Sequence, residues 1–251
     1  RYAGYFETAA EGITKVLVAA EKTRVEPYTW WFPIAGEVPY KSYFVEDDAR
    51  AEEAELAAAG YDTWVGHATA YSTLGILRDP VTTVMMQRGV PGFVEVMFHE
   101  MAHARLYVPG QTDWNEQLAS FVGQQAARDY IASRFTGDAV VLEEMELLFE
   151  RRARLEERVA ETIAELEVLY DRGGAPAVIL RARRPILDAL QRDLQALYPE
   201  AEPEKLVMNN ARLMQYRRYD RSSEEMEALW KQAGASWVAF WKLAEARAEE
   251  L

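Results

Sequence analysis

The 251-residue sequence contains no cysteine and only three histidines, His67, His99 and His103. The absence of cysteine excludes disulfide bonds, thiolate nucleophiles, iron–sulfur clusters and cysteine-ligated zinc fingers. Any metal ion must therefore be bound by His, Asp or Glu. Asparagine is as rare as histidine, with three copies. In such a composition each remaining His or Asn becomes a stronger candidate for a functional role.

Basic patches and long apolar runs are also missing. The 28 Lys and Arg residues are outnumbered by 41 Asp and Glu, which gives a net charge of −13 and argues against binding to nucleic acid. No run of 18 apolar residues occurs, so we expect no membrane span in the given chain. Because the chain begins at Arg1 rather than Met, the sequence leaves open whether a signal peptide or lipid anchor has been removed.

Hydrophobic periodicity predicts a mostly helical chain. We expect an opening helix over 5–24, irregular chain with one short strand over 30–44, and a helix over 45–59 that is closed by Gly60. A strand is predicted over 62–75, where β-branched and aromatic residues are frequent. Further helices are predicted over 91–108, 113–135, 140–170, 176–198 and within 204–251.

The segment His99-Glu100-Met101-Ala102-His103 has the pattern HExxH and lies within the predicted helix 91–108. Two His residues at positions i and i+4 lie on one face of a helix, about 40° apart, so both imidazoles can reach one cation. Glu100 then flanks the open side of the metal. The alternative is a pair of hydrogen-bonded core histidines.

Glu116 is the predicted third ligand. The chain reverses at Pro109-Gly110, and Glu116 falls in the first turn of the returning helix, for which Asp113 is the predicted N-cap. A carboxylate there faces the His pair across an interaxial gap of about 8–10 Å. Asp113-x-x-Glu116 is also the spacing of a capping box, in which Glu116 would bind the Asp113 N–H instead of a metal.

Other metal chemistries need residues that this sequence does not have. A metzincin requires a third His at position 109, which is Pro, and a carboxylate-bridged di-iron bundle requires two Glu-x-x-His motifs where only one exists. A deformylase-like site requires a Cys. What remains is a His2Glu site for Zn²⁺ with a bound water, the arrangement of thermolysin-type peptidases.

Four runs of sequence resemble the predicted bacterial zinc aminopeptidases, a gluzincin-like family whose members are often exported or lipid-anchored. The runs are PIAGEVPYKSYF, AYSTLGILRDPV, HEMAHARLYVPGQTDWNEQLASFV and NNARLMQYRRY. The resemblance is good over residues 30–135 and looser over 205–245. It departs from the family pattern at Lys41-Ser42, Ala104 and Trp114, none of which is a proposed ligand. It implies a peptide substrate and an exported or membrane-anchored location, with a cytoplasmic one still open.

Chemistry and resemblance together suggest a role for each residue. His99, His103 and Glu116 hold Zn²⁺, and Glu100 takes a proton from the zinc-bound water and later passes it to the leaving amine. The resemblance matches Tyr219 to the family's Tyr after the NNA-x-L run, which makes it the candidate oxyanion donor. Tyr216 is the second candidate, and a rim or core position for either tyrosine stays open.

Two further segments are candidates for binding the substrate. Part of the predicted strand 62–75 should lie at a sheet edge over the zinc, where free backbone groups can pair with an extended peptide. This part consists of Tyr71, Ser72, Thr73, Leu74 and Gly75. Asn209 and Asn210 either position their segment near the site or cap its helix. His67 is predicted to be structural rather than a catalytic donor.

We therefore predict an α+β, predominantly α fold: a zincin-like metallopeptidase core with a small sheet over the HExxH helix and an added long helical hairpin. The catalytic core is predicted to span residues 1–137 and the hairpin residues 138–203. A C-terminal helical part, residues 204–251, completes the active-site cleft. The predicted function is a zinc-dependent peptidase, most simply an aminopeptidase. The alternative is a non-catalytic, zinc-stabilised binding protein that acts through the hairpin. Oligomeric state is not predicted.

Overall fold

The structure is a computed structural model that describes residues 4–8, 14–33, 36–67, 80–220 and 223–251, with the backbone alone for 217–220 and 223. Helix makes up 64% of the described residues and strand 12%, so the predicted class, α+β with a predominance of helix, is confirmed. Among the described helices, none is both long enough and apolar enough to cross a membrane.

The elements of the described residues follow one another in a strand-rich first part and a helical second part. The strands are β1 (Tyr5–Phe6), β2 (Lys15–Ala20), β3 (Trp30–Phe32), β4 (Gly36–Val38), β5 (Lys41–Tyr43), β6 (Asp62–His67) and β7 (Val81–Thr82). The helices are α1 (Glu46–Ala58), α2 (Thr83–Met86), α3 (Gly89–His103), α4 (Thr112–Arg134), α5 (Ala139–Asp171), α6 (Pro176–Leu197), α7 (Asn210–Asp220), α8 (Ser223–Gln232) and α9 (Trp237–Ala248). A short 3-10 helix covers Pro203–Leu206. The helices predicted from 45 onward are thus confirmed, except that the predicted helix 91–108 ends at His103, so the predicted turn of helix after His103 is wrong. The segment 30–44 forms three short strands instead of one.

The chain contacts group into two compact units, each made of separate stretches of sequence. The first unit contains Arg1–Gly12, Thr69–Glu150 and Arg218–Leu251, and the second contains Ile13–Ala68 and Arg151–Arg217. This division differs from the predicted segments 1–137, 138–203 and 204–251. The difference arises because most of α5 and all of α6 share a hydrophobic core with the early strands.

The second unit is built around an antiparallel sheet with the strand order β5-β2-β6. In this sheet β2 is the central strand, with Lys15 opposite His67 and Leu17 opposite Val65. α1 packs on the sheet and ends just before Gly60, whose φ of +99° suits a glycine after a helix.

The predicted opening helix over 5–24 is wrong, because this segment contains the strands β1 and β2. Both faces of β2 are covered: Leu17 and Ala19 belong to one hydrophobic cluster, and Val18 and Ala20 belong to another. A strand that is buried on both faces reads as a continuous apolar run, which periodicity alone cannot distinguish from a buried helix.

α5 and α6 form the predicted helical hairpin, joined through Gly173 and Gly174, which have φ values of +66° and +127°. The apolar stripe of α6 and that of the second half of α5 are buried in one cluster of the second unit, together with Val18 and Ala20 of β2. The buried residues are Val159, Ile163, Leu166 and Tyr170 from α5, and Ile179, Leu187, Leu190 and Leu194 from α6. The first half of α5 buries Val141, Met145 and Phe149 against Ala127 and Ile131 of α4 in the first unit.

The first unit is built on the pairing of α3 with α4, the most extensive contact between described elements. β1 and β7 form a small parallel pair next to α2, which leads into α3. On another side, α4 packs against α8 and α9 around the fully buried Phe240, Met226 and Leu118. This cluster holds α4 in place while its other face meets α3.

Candidate metal centre

α3 and α4 are antiparallel neighbours because the connection between them is only eight residues long. α3 ends at His103, and the chain then makes a turn over Val108-Pro109-Gly110-Gln111, closed by a hydrogen bond from the Gln111 N–H to the Val108 carbonyl oxygen (3.2 Å). Pro109 at the second position and Gly110, with φ +81°, at the third are typical of a type II turn. α4 begins immediately afterwards at Thr112.

The side chains of His99, His103 and Glu116 converge between these two helices. The two Nε2 atoms of the histidines are 3.1 Å apart. Glu116 places Oε2 at 3.5 Å from the His99 Nε2 and Oε1 at 3.5 Å from the His103 Nε2. Within the described residues, this is the one group of three or more His, Asp or Glu that could hold a metal ion.

These three separations fit a tetrahedral metal site. Ligand atoms bound to zinc at about 2.0–2.2 Å with tetrahedral angles lie roughly 3.3–3.6 Å from each other. The two separations of 3.5 Å between Glu116 and the histidines lie within this range, and the 3.1 Å between the two histidine nitrogens lies just below it. Two imidazoles and one carboxylate are also a donor set that zinc uses in catalytic sites, where the fourth position stays open to water or substrate.

The charge state of Glu116 suits a metal ligand. Burial would raise the pKa of its carboxyl group, but the facing rings of His103 and His99 lower it more, so the net pKa is well below the usual range. Glu116 is therefore ionised at neutral pH. Two neutral imidazoles and one carboxylate would leave a bound divalent cation with one net positive charge, which can act on a carbonyl group or a water.

The orientation of His103 comes from packing. Its side chain is only 8% exposed, and its ring makes an edge-to-face contact with the ring of His99 at 4.7 Å. The other ring nitrogen, Nδ1, is buried and has no hydrogen-bond partner among the residues that the structure describes. Within the described residues, the contacts of this ring are its packing and the approach of its Nε2 atom to His99 and Glu116.

The capping-box alternative for Glu116 does not match the start of α4. The predicted N-cap, Asp113, is wrong: the helix begins at Thr112, Gln111 is the N-cap, and it makes no side-chain capping hydrogen bond. Asp113 lies inside the first turn. Because both carboxylate oxygens of Glu116 face histidine nitrogens, its position agrees with a ligand.

A Glu116→Gln variant separates the two alternatives by experiment. If Glu116 is a ligand, the amide should bind zinc at least tenfold more weakly, because it is a poorer donor and removes a negative charge beside a dication. Zinc titration of the purified full chain measures this. Parent-like zinc affinity in Glu116→Gln would rule Glu116 out as a ligand.

Gly123 brings α4 into close contact with the helix that carries the histidines. It lies seven residues after Glu116, on the same face of α4. A Cβ atom built on Gly123 would lie 3.0 Å from the Glu95 carbonyl oxygen and 3.2 Å from the His99 Cβ. A side chain at this position would therefore push the two ligand-bearing helices apart.

We accordingly expect Gly123→Ala to weaken zinc binding several-fold. Alanine favours the helix intrinsically, but the added methyl group shifts His99 relative to Glu116 by a few tenths of an ångström, which uses up most of the roughly 0.5 Å within which such a site must hold its groups. Gly137→Ala is the matched control in the same unit, because a Cβ there meets nothing within 4 Å. Equal zinc affinities in the two variants would refute this role for Gly123.

Glu100 lies on α3, about 100° around the helix axis from His99, and its side chain is partly buried. The other catalytic candidate, Tyr219, lies in α7, but its side chain is outside the described part of the structure. The proposed peptide-binding residues Tyr71, Ser72, Thr73, Leu74 and Gly75 also lie outside the described residues.

The remaining candidates serve the second unit. Tyr216 packs against its hydrophobic cluster. Asn209 caps α7, since its Oδ1 accepts the Arg212 N–H at 2.9 Å. His67 is exposed at the end of β6, with its Nδ1 3.3 Å from the Lys15 Nζ, and this agrees with the predicted structural role.

Asn210, which we predicted to bind substrate, is fully buried. Its Oδ1 accepts a hydrogen bond from the Tyr170 hydroxyl at 3.0 Å. Its Nδ2 donates to the carbonyl oxygens of Glu21 and Arg24, at 2.8 and 2.9 Å. The amide has no atom left for a peptide, so the structure supports the alternative of a structural role.

Sequence reasoning missed two residues that shape the site. Gly123 gives no signal beyond its seven-residue spacing from Glu116. Asn115 is 2% exposed and hydrogen-bonds to the loop between α3 and α4. The rarity of asparagine and the position next to Glu116 could have identified it.

In a comparison with protein-family models, residues 1–250 match the family described as "Putative aminopeptidase". Comparisons with curated proteins and with solved structures give no significant match.

Proposed function

Since the chain belongs to the family described as "Putative aminopeptidase", we propose that it is a zinc-dependent peptidase that removes amino-terminal residues from peptides. The observation that carries this proposal is the convergence of His99, His103 and Glu116, whose potential ligand atoms all lie within 4.8 Å of one another. Family membership supports the reaction, and the donor set supports the metal.

His99 and His103 would hold the ion from α3, and Glu116 would hold it from α4. A bound Zn²⁺ polarises a carbonyl group and lowers the pKa of a coordinated water toward about 7. The antiparallel packing of α3 and α4 keeps the three donors in place before an ion arrives, which reduces the ordering cost of binding.

Glu100 would act as the general base. Its carboxylate accepts a proton from the attacking water and donates that proton to the nitrogen of the leaving amine, so it returns to its starting state after each turnover. Glu100 is the residue after the ligand His99 on α3, about 100° further around the helix axis.

Two parts of the proposal concern the substrate. We propose the Tyr219 hydroxyl as the donor that stabilises the oxyanion, and the backbone of residues 71–75 as the partner of an extended peptide. Both rest on the resemblance of these sequence runs to the aminopeptidase family.

The alternative function, a binding protein that uses the helical hairpin, has less support. Such a hairpin needs a free apolar face. The apolar stripes of α6 and of the second half of α5 are already buried in the core of the second unit, and the first half of α5 packs against α4 in the first unit. A structural metal site would also have no need for Glu100 beside the histidines.

Peptides with free and acetylated amino termini test the proposed reaction. The zinc-loaded protein should release the first residue from a free peptide and should not act on its acetylated counterpart. Cleavage of both peptides at internal bonds would make the protein an endopeptidase. No cleavage of any peptide would overturn the proposal.

A further inference from the structure

We propose that Asn115 is a positioning residue for the metal site and that it acts by fixing the loop between the ligand-bearing helices. This inference rests on the zinc site proposed above. It concerns how residues 104–111 set the distance between the histidines of α3 and Glu116 of α4.

The contact is a two-point pairing between a side-chain amide and one backbone residue. Asn115 Oδ1 accepts the Val108 N–H at 2.8 Å, and Asn115 Nδ2 donates to the Val108 carbonyl oxygen, also at 2.8 Å. The amide thus pairs with Val108 much as a neighbouring strand would. Both of its polar atoms are used, in a residue that is only 2% exposed.

Val108 is the point at which the loop turns. It is the first residue of the type II turn, so its carbonyl oxygen accepts from both the Gln111 N–H and the Asn115 amide. Leu106 and Val108 also pack against the cluster that contains Trp114 and Leu118. The end of the loop is therefore tied to the first turns of α4 by hydrogen bonds and by packing.

The consequence for the site follows from chain connectivity. Asn115 is adjacent to the ligand Glu116, and Val108 lies five residues after the ligand His103. The pairing of Val108 with Asn115 therefore links the segment after His103 to the segment before Glu116. It restricts the movement of the first turn of α4 relative to α3. Without this pairing, α4 can shift relative to α3, and Glu116 loses its alignment with the two Nε2 atoms.

The test compares zinc affinity and the visible absorption spectrum of the Co²⁺-substituted full chain in the parent, Asn115→Ala and Asn209→Ala. Asn209 is the matched control, because its amide makes two hydrogen bonds to backbone groups in the second unit. We expect Asn115→Ala to bind zinc about tenfold more weakly, in the range found for outer-shell partners, and to change the Co²⁺ spectrum. Asn209→Ala should match the parent in both.

A second variant covers the case in which Asn115→Ala does not fold. Gly110 is exposed and has φ +81°, so Gly110→Ala strains the same turn without touching the core. It should weaken zinc binding several-fold. Parent-like affinity and spectrum in folded Asn115→Ala, or an equal loss in Asn209→Ala, would overturn the positioning role. A parent protein that binds no zinc would instead overturn the proposed site itself.

Discussion

A His103→Ala variant should bind no zinc at micromolar concentrations of the metal, because it removes the most buried of the three ligands. Only two donors then remain, His99 and Glu116, and a two-donor site holds zinc weakly. We expect the affinity for zinc to fall by more than the roughly 10- to 100-fold that is typical when a residue hydrogen-bonded to a metal ligand is mutated. Isothermal titration of the purified full chain with zinc measures the loss.

The same variant should lose the stability that metal binding provides. An ion at 100 times its Kd stabilises a folded protein by about 2.7 kcal/mol, and this contribution disappears with the site. Thermal unfolding with and without zinc should therefore show a shift in the parent and none in His103→Ala. His67→Ala is the control, since His67 is exposed on β6 and contacts Lys15. Zinc binding by His103→Ala at parent affinity, or its loss in His67→Ala, would contradict the assignment of ligands.

A Glu100→Gln variant should keep its zinc and lose about 10²–10⁴ in kcat/KM, the usual contribution of a general base. The amide has nearly the same shape as the carboxylate, but it cannot accept the proton of the attacking water. Because Glu100 is not among the converging ligand atoms, zinc affinity should stay at the parent value.

Two measurements on Glu100→Gln separate the possible errors. Peptide hydrolysis at the parent rate would exclude Glu100 as the base and leave the metal site intact. Loss of zinc from the variant would show that the residue supports the ligands instead of the reaction. For this reason, the zinc content of the purified variant has to be measured together with every rate.

The convergence of His99, His103 and Glu116 could be predicted because each step depends on local rules. The helical period places residues four apart on one face, and the turn at Pro109-Gly110 reverses the chain so that α4 returns beside α3. Neither step needs knowledge of distant contacts. The N-cap of α4 could not be predicted in the same way. The helix starts at Thr112 with Gln111 as its N-cap, directly after the turn at Pro109-Gly110, and not after Asp113.

Residues whose roles depend on three-dimensional neighbours could not be predicted in this way. The close approach of Gly123 to His99 and the pairing of Asn115 with Val108 are two such cases, since neither contact follows from sequence spacing. The same holds for β2, whose apolar run fits a helix until the clusters on its two faces are known. Asn210 shows the opposite error, in which a rare residue suggested a substrate contact and proved to be a buried link to Tyr170.

The measurement that tests the central claim most directly is the digestion of a mixed peptide library by the full chain, first stripped of metal and then given one equivalent of zinc. We predict no cleavage by the stripped protein and release of amino-terminal residues once zinc is restored, with one zinc bound per chain. Zinc binding at one per chain without any cleavage of the library would contradict the claim that this is a peptidase. Cleavage that is equally fast without metal would contradict the role of His99, His103 and Glu116.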